Sequence, residues 1–578
     1  ASEAPLIDVG LGTAKDFDAV GDVNGAVVLV DRNDHLYWWP SPVVSEAYYR
    51  GAIAVVFHGF MEEFLPPSPL GSENAIRQGG LGGPIPQFSI STRDAIYIRE
   101  LLANSQEPVK IYIKSKVNMK TEAVGKSHNV VGFIYADDPT DESIILGAHM
   151  DTWWSGAVDD LSGIGALIEI AKTFDYMRNN GYKFKKNIVF VAAGAEEAGG
   201  PFGTWYNWFV GSYEFVKDPK YQKIVNNLVL DINMDAIGYF ASHIGTCNTW
   251  EVAPLLHDVV RDLGLGDIVS YYEPTTENTD AWSYGAIIGG SGIDVGNWWS
   301  SPWYWVYHTP LDRIDVIDPT MYKKAIDLVG VLALRANSWL AYPYDLASTA
   351  NWALNRLSEE RIQYADILSN NDKLATALND VENALKAFRT KAEAMQMLAS
   401  SLTEQYANAK NPSDIAVLEQ QIKELNKKLL SARQTITPYV IAHVDAVGGW
   451  WPDFRPEQYM NDYAQITRCI KAISENKISE AISHVEEVYG MQWAQLFGPQ
   501  TYADMLHSFE NNQYWGAEHM QQPHYSPVYD AWRGLTYGTK TPKEVTDELN
   551  RLQNQACNWL FESLSLIKTK VTEAAGKL

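Results

Sequence analysis

The chain has 578 residues, of which 46% are apolar, and carries a formal net charge of −25. That length exceeds what one hydrophobic core can serve and sets an expectation of about 3 or 4 domains; the composition excludes a disordered or fibrous chain. The acidic balance excludes nucleic acid as a partner, because little here could replace the counterions around phosphates, and no apolar run approaches the ~18 residues of a membrane span.

The chain opens Ala1-Ser2-Glu3-Ala4-Pro5 without an initiator Met, which sets an expectation of a processed end and of secretion. Residues 1 to about 115 read as short strands and turns: 25–30, 51–57, then Gly- and Pro-rich loops through Pro86. A strand near 85–91 leads to a single helix, about Arg93 to Asn104. The segments GDVNGAVVLVDR, GAIAVVFHG and IPQFSIS resemble the protease-associated domain, a small β-rich module of secreted peptidases.

From about 116 to 345 strands alternate with helices. Strand 143–149 precedes a helix from about Leu161 to Tyr176, with Leu161, Ile164, Leu167 and Ile168 at helical spacing. Strand 188–193 leads to a helix near Trp205–Val216, and strand 228–233 ends at Asp235. Then come helix 251–263, strand 267–272, strand Ala286–Gly289 and a helix from about Thr320 to Trp339. Such alternation predicts an α/β domain with a mostly parallel sheet covered by helices on both faces.

After about 346 the chain turns helical. Residues 351–407 and 413–435 space Leu, Ala and Ile at helical period, which predicts an antiparallel pair. A Gly/Pro/Trp-rich break near Gly448–Pro456 separates it from helices at about 456–505 and 542–573. The expected layout is therefore 1–115, 116–345 and 346–578. The cysteines, Cys247, Cys469 and Cys557, are too few and too scattered for a disulfide framework or a thiolate zinc site, and are expected to be buried.

Five segments in the middle third carry the chemistry: GAHMD (147–151), GAVDDLSG (156–163), AEEAG (195–199), NMD (233–235) and YHTP (307–310). Each falls where a predicted strand gives way to a loop or helix, the place where an open α/β sheet builds its ligand crevice. Zinc takes imidazole nitrogen and carboxylate oxygen and leaves room for water. Two zincs per chain would need a shared carboxylate, and Asp159 is the bridging candidate. His149 and Asp235 would complete one metal, Glu197 and His308 the other. Asp151, two residues past His149, could accept the other imidazole N–H. Glu196 is the candidate general acid and base, and Tyr307 could help hold an oxyanion.

GAHMD…GAVDDLSG…AAGAEEAG…NMD…YHTPLD resembles the co-catalytic zinc aminopeptidase family that also contains glutamate carboxypeptidase II and the transferrin receptor. The resemblance spans nearly the whole chain. It implies the ligand set His149, Asp159, Glu197, Asp235 and His308, Glu196 as acid and base, Tyr307 at the oxyanion, and a helical domain that forms homodimers. In that branch a peptidase-domain segment precedes the protease-associated domain; here Ala1 lies almost at its first strand, so removal of an N-terminal stretch is expected.

Residues 281–307 lack the arginines with which glutamate-specific relatives grip substrate carboxylates. They hold Asp294 and the aromatics Trp282, Tyr284, Trp298, Trp299, Trp303, Tyr304 and Trp305, a pocket suited to an apolar side chain and a free amine. A secreted aminopeptidase acting on peptides is thus expected ahead of three alternatives: a carboxypeptidase or dipeptidase, a non-catalytic transferrin receptor-like protein, and a single-zinc glutaminyl cyclase. His519 and His524 could shape the substrate pocket, and Asp280 could contact substrate or ligands.

Overall fold

The structure, a computed structural model, describes all residues except 1, 34–35, 38–39, 60–66, 80–82, 118–124, 198–207, 241–242, 277–278, 297–303, 443–452 and 511–526. A first sheet has the order β4-β3-β2-β1-β5, built from β1 (Ser2–Asp8), β2 (Val27–Arg32), β3 (Ala54–Gly59), β4 (Gln87–Ser89) and β5 (Lys110–Ile113). Neighbours pair in parallel except for β1 with β5. The expectation of a single helix in this region is corrected: helices form at Ala14–Val20, Ser41–Tyr49 and Thr92–Asn104. The first is marked by a capping box, with Thr13 and Asp16 satisfying each other's orphan amides.

A second sheet has the order β11-β10-β12-β9-β7-β8-β6. Its strands are β6 (Val130–Ile134), β7 (Ser143–His149), β8 (Asn187–Ala193), β9 (Leu228–Asp235), β10 (Ile244–Asn248), β11 (Val269–Tyr272) and β12 (Gly292–Gly296). The four central strands β12, β9, β7 and β8 are parallel; β6 and the β10–β12 pairing are antiparallel. Strand β7 is buried along its whole length, as a strand covered on both faces must be. Its alternate residues serve different cores. Ile144 and Leu146 pack with Ala166, Leu167 and Ile170 of the helix Leu161–Asn179, whereas Ile145 packs with Phe215 and Val216 of the helix Val210–Lys217. Within the first of those helices Leu161 and Ile168 are exposed although they share the helical spacing of the buried Leu167.

The predicted strand Ala286–Gly289 is a π-helical turn, Ser283–Ile287. Its Tyr284 and Ile287 drop into the core beside Leu228, and the strand proper begins at Gly292. Trp282, Tyr284 and Asp294 are fully buried. Asp294 accepts a hydrogen bond from Asn233 of the adjacent strand at 3.0 Å. These three are therefore interior residues rather than lining of an open pocket. Trp298, Trp299, Trp303, His519 and His524 lie outside the described residues.

The predicted helix 351–407 is broken, running Leu346–Gln363 and then Asp372–Asn408, because the Asn371 side chain caps the second piece through Leu374 N. Asp372–Asn408 and Pro412–Val440 form the expected pair, and the long helix Pro542–Lys577 packs on both. The stretch predicted as helical over 456–505 is divided among Glu457–Ser474, Ile478–Glu486, Met491–Ala494 and Pro499–Glu510. No helix among the described residues is long and apolar enough to cross a membrane. Cys247 and Cys469 are buried, and Cys557, expected to be buried, is half-exposed; all three are free thiols.

Arg433 joins the helices to the second sheet. Its buried guanidinium donates to the carbonyls of Leu228 (2.8 Å), Gly289 (2.8 Å) and Val229 (3.4 Å), to Ser291 Oγ (2.8 Å) and to the Tyr344 hydroxyl (3.0 Å). Arg433→Met is expected to destabilise the chain by on the order of 3 kcal/mol or more, since several interior acceptors lose their donor at once. Chemical denaturation of the variant against wild type measures it; an unchanged midpoint would contradict this role.

Candidate metal centre

The parallel strands β7, β8 and β9 all point their carboxyl ends at one crevice, and the chain's acidic and imidazole groups gather there. His149 ends β7 and Asp235 ends β9, while Glu196 and Glu197 follow β8 within a few residues. Asp159 lies on the loop after β7 and His308 on the loop after β12. All of them are buried.

Asp159 stands between the histidines. One of its carboxylate oxygens lies 3.0 Å from His149 Nε2 and the other 3.2 Å from His308 Nε2. Asp235 Oδ1 is 3.8 Å from His149 Nε2, and Glu197 Oε2 is 2.9 Å from His308 Nε2. Tetrahedral zinc with bonds of ~2.0–2.2 Å sets its ligand atoms about 3.3 Å apart, so the spacings match two adjoining sites. Two donor triads emerge, His149–Asp159–Asp235 and Asp159–Glu197–His308, sharing Asp159. Glu197 Oε1 is buried and has no hydrogen-bond partner among the described residues, which fits an oxygen that would ligate a cation.

The electrostatics point the same way. Burial, reinforced by the charges of Asp235 and Glu197, pushes Glu196 well above the usual carboxylate range. Burial and Asp159 do the same to Glu197. Burial also raises Asp280, to about 6, with Asp235 and Asp151 adding to it. Burial opposes ionisation of Asp159 as well, yet hydrogen bonds from His149 and His308 hold it below the usual range. So many carboxylates withdrawn from water need positive charge among them, and divalent cations on the two triads would supply it.

The loops that present these groups are fixed by residues that touch no metal position. The Asp151 carboxylate was expected to accept from His149. Instead the Asp151 backbone carbonyl does so, 3.0 Å from Nδ1, which turns Nε2 toward the position a metal would take. The carboxylate of Asp151 takes the amides of Glu196 (3.0 Å) and Glu197 (3.1 Å). Three further residues brace these loops. Asp160 accepts from the amides of His149, Gly163 and Ala236, tying three loops to the start of the helix Leu161–Asn179. Asp312 accepts from the amides of Val158 and Asp159. Gln78, from the first sheet's side of the chain, meets His308, its amide nitrogen 2.6 Å from Nδ1. The helix-start pattern Asp-x-Ser-Gly marks Asp160 as a cap in the sequence; nothing local marks Gln78.

Ala195, Ala236 and His308, each beside or within the triads, hold positive φ angles of 59°, 56° and 53°. Non-glycine residues adopt that conformation at a cost of about 1–3 kcal/mol, and such positions concentrate at functional sites. Tyr307 stacks on His308 with centroids 3.7 Å apart, and the Arg77 guanidinium lies 5.3 Å from its ring centre. The absence of cations from residues 281–307 therefore does not make the site free of them: Arg77 arrives from far earlier in the chain.

Residues 129–333 match the model of Peptidase family M28. The chain is 22% identical over 460 residues to the probable glutamate carboxypeptidase LAMP1 of Arabidopsis thaliana, covering 68% of this chain and 62% of that protein. It is 21% identical over 370 residues to the aminopeptidase NAALADL1 of Rattus norvegicus, covering 58% of this chain and 47% of that one. The chain thus spans less than two thirds of the length of these relatives. Among solved structures, BSAP, a zinc aminopeptidase from Bacillus subtilis, aligns at 22% identity and a TM-score of 0.40, covering 58% of this chain and 75% of that one.

Proposed function

From the match of residues 129–333 to the model of Peptidase family M28 and the geometry of the two triads, we propose that the chain is a two-zinc exopeptidase that releases amino-terminal residues, apolar ones preferentially, from peptides. The observation that carries this reading is the placement of Asp159, one carboxylate oxygen toward each histidine. His149, Asp159 and Asp235 would hold one ion, and Asp159, Glu197 and His308 the other. Held there, the ions would supply Lewis acidity, lowering the pKa of a water toward neutral and polarising an amide carbonyl.

Glu196 takes the proton of the attacking water and returns it to the leaving amine. Its backbone is fixed by Asp151, so its carboxylate stays near His149 Nε2, at 3.9 Å, without belonging to either donor triad. The Tyr307 hydroxyl, raised well above its ordinary range by burial and by the nearby Asp159 and Glu197 charges, remains a donor for the developing oxyanion. Asp280, buried beside Asp235 and Asp151, places a further carboxylate next to the triads, and that favours a substrate's free ammonium group over a terminal carboxylate.

A carboxypeptidase reading has one observation in its favour, the buried Arg77 beside Tyr307, which could pair with a terminal carboxylate. A panel of aminoacyl reporters and short peptides, some blocked at the amino end and some amidated at the carboxyl end, assayed with and without a chelator, separates the two. Amino-terminal release that survives carboxyl amidation and fails on amino blocking is the expected outcome; the reverse pattern would overturn the polarity. Pairing of two copies through the helical region belongs to the same proposal, with exposed Ile362, Met397 and Val417 available to it.

A further inference from the structure

We propose that Gln78 is a positioning residue for His308, and that through it the first sheet governs how tightly the Glu197–His308 half of the centre holds its metal. This rests on the two-zinc reading above. The halves of the centre are supported differently. His149 finds the partner for its second ring nitrogen within its own loop, at the Asp151 carbonyl. His308 finds its partner 230 positions away in sequence, at the side-chain amide of Gln78.

The contact is one part of a wider grip. Gln78 is 4% exposed. Its backbone amide donates to the His308 carbonyl at 3.1 Å, and its own carbonyl accepts from the buried Arg32 guanidinium. Ser72 Oγ donates to the Trp305 carbonyl at 2.9 Å, and Arg77 lies over the Tyr307 ring. Residues 72–78 thus clasp residues 305–308 by main chain and side chain together. They hold His308 in its positive-φ conformation, which the loop alone has little reason to keep.

A histidine that binds metal through Nε2 carries its proton on Nδ1 and needs an acceptor there. Gln78 has one to offer: its Oε1 is buried and has no partner among the described residues. A half-turn of the amide exchanges its oxygen and nitrogen at almost no steric cost and brings that oxygen against Nδ1. The ring is then oriented, and its Nε2 made more basic, by a residue that never touches the metal.

Gln78→Met keeps the length and packing of the side chain and deletes the acceptor; Gln78→Glu keeps an acceptor and adds charge. The readout is zinc content of the full-length chain after equilibration with a graded series of chelator concentrations, alongside thermal melting of each metal-free form. Wild type should hold two equivalents. In Gln78→Met one equivalent should leave at roughly 10–100-fold weaker competition while the other stays in place, and Gln78→Glu should return the curve to wild type or beyond. Two equivalents in wild type and an unshifted Gln78→Met would overturn the proposal. So would equal weakening of both equivalents, or a Glu variant as weak as the Met one, since either marks a packing role. Fewer than two equivalents in wild type would instead defeat the two-zinc reading, and this proposal with it.

Discussion

Glu196→Gln is expected to lower kcat by roughly 10²–10⁴-fold, the range that a positioned acid and base contributes, while leaving metal content unchanged. The separation of the two effects follows from geometry. Glu196 lies outside both donor triads, yet its carboxylate is 3.9 Å from His149 Nε2 and buried beside Asp235 and Glu197. The amide isostere keeps the volume and the backbone contact to Asp151 and removes only proton transfer. KM should change little, because the residue handles a proton during the reaction rather than holding the substrate beforehand. Steady-state kinetics on an aminoacyl reporter, paired with elemental analysis of the same preparation, checks both halves. Activity within a few-fold of wild type would remove Glu196 from the chemistry.

Asp159→Ala is expected to have the largest effect on metal content. Each remaining triad would be left with two ligands, His149 with Asp235 and Glu197 with His308, and neither pair satisfies zinc's preference for at least three protein donors. The metal content should fall from two equivalents to below one after dialysis, and activity should go with it. Stability should suffer as well. The bridging carboxylate is the one acid of the cluster that both histidines hold below its ordinary range, and without it they face Glu197, Asp235 and Glu196 in a less ordered field. Retention of two equivalents by the alanine variant would show that the metals are held elsewhere.

The parts of the fold and the candidate site that the sequence exposed are those governed by local pattern. Apolar runs such as Ser143–His149, which closes on its histidine, and Leu228–Asp235, which closes on an aspartate after an earlier Asp231, announce both a buried strand and the position of its last side chain. Strand β12 carries no such signal, because Gly292, Asp294 and Gly296 lower its strand propensity and it is held only by its neighbours. The apolar run Ala286–Ile288 just before it drew the strand assignment that the π-helical turn took instead. Aromatic density around 282–305 likewise gave no direction: Trp282 and Tyr284 are plugs in the interior. The contacts of Gln78 and Arg77 with the 305–308 loop join residues about 230 positions apart, and no spacing rule operates over that distance. Asp160 was half visible, marked as a helix cap, while its hold on His149 and Ala236 needed the three-dimensional closure of the crevice.

In the proposed centre one carboxylate, Asp159, is shared between two cations. Diffraction data collected on zinc-loaded crystals on either side of the zinc absorption edge test it most directly. The account requires two anomalous peaks, one near His149 and Asp235 and the other near Glu197 and His308, each within bonding distance of a different Asp159 oxygen. A single peak, or two peaks of which neither touches Asp159, would contradict it.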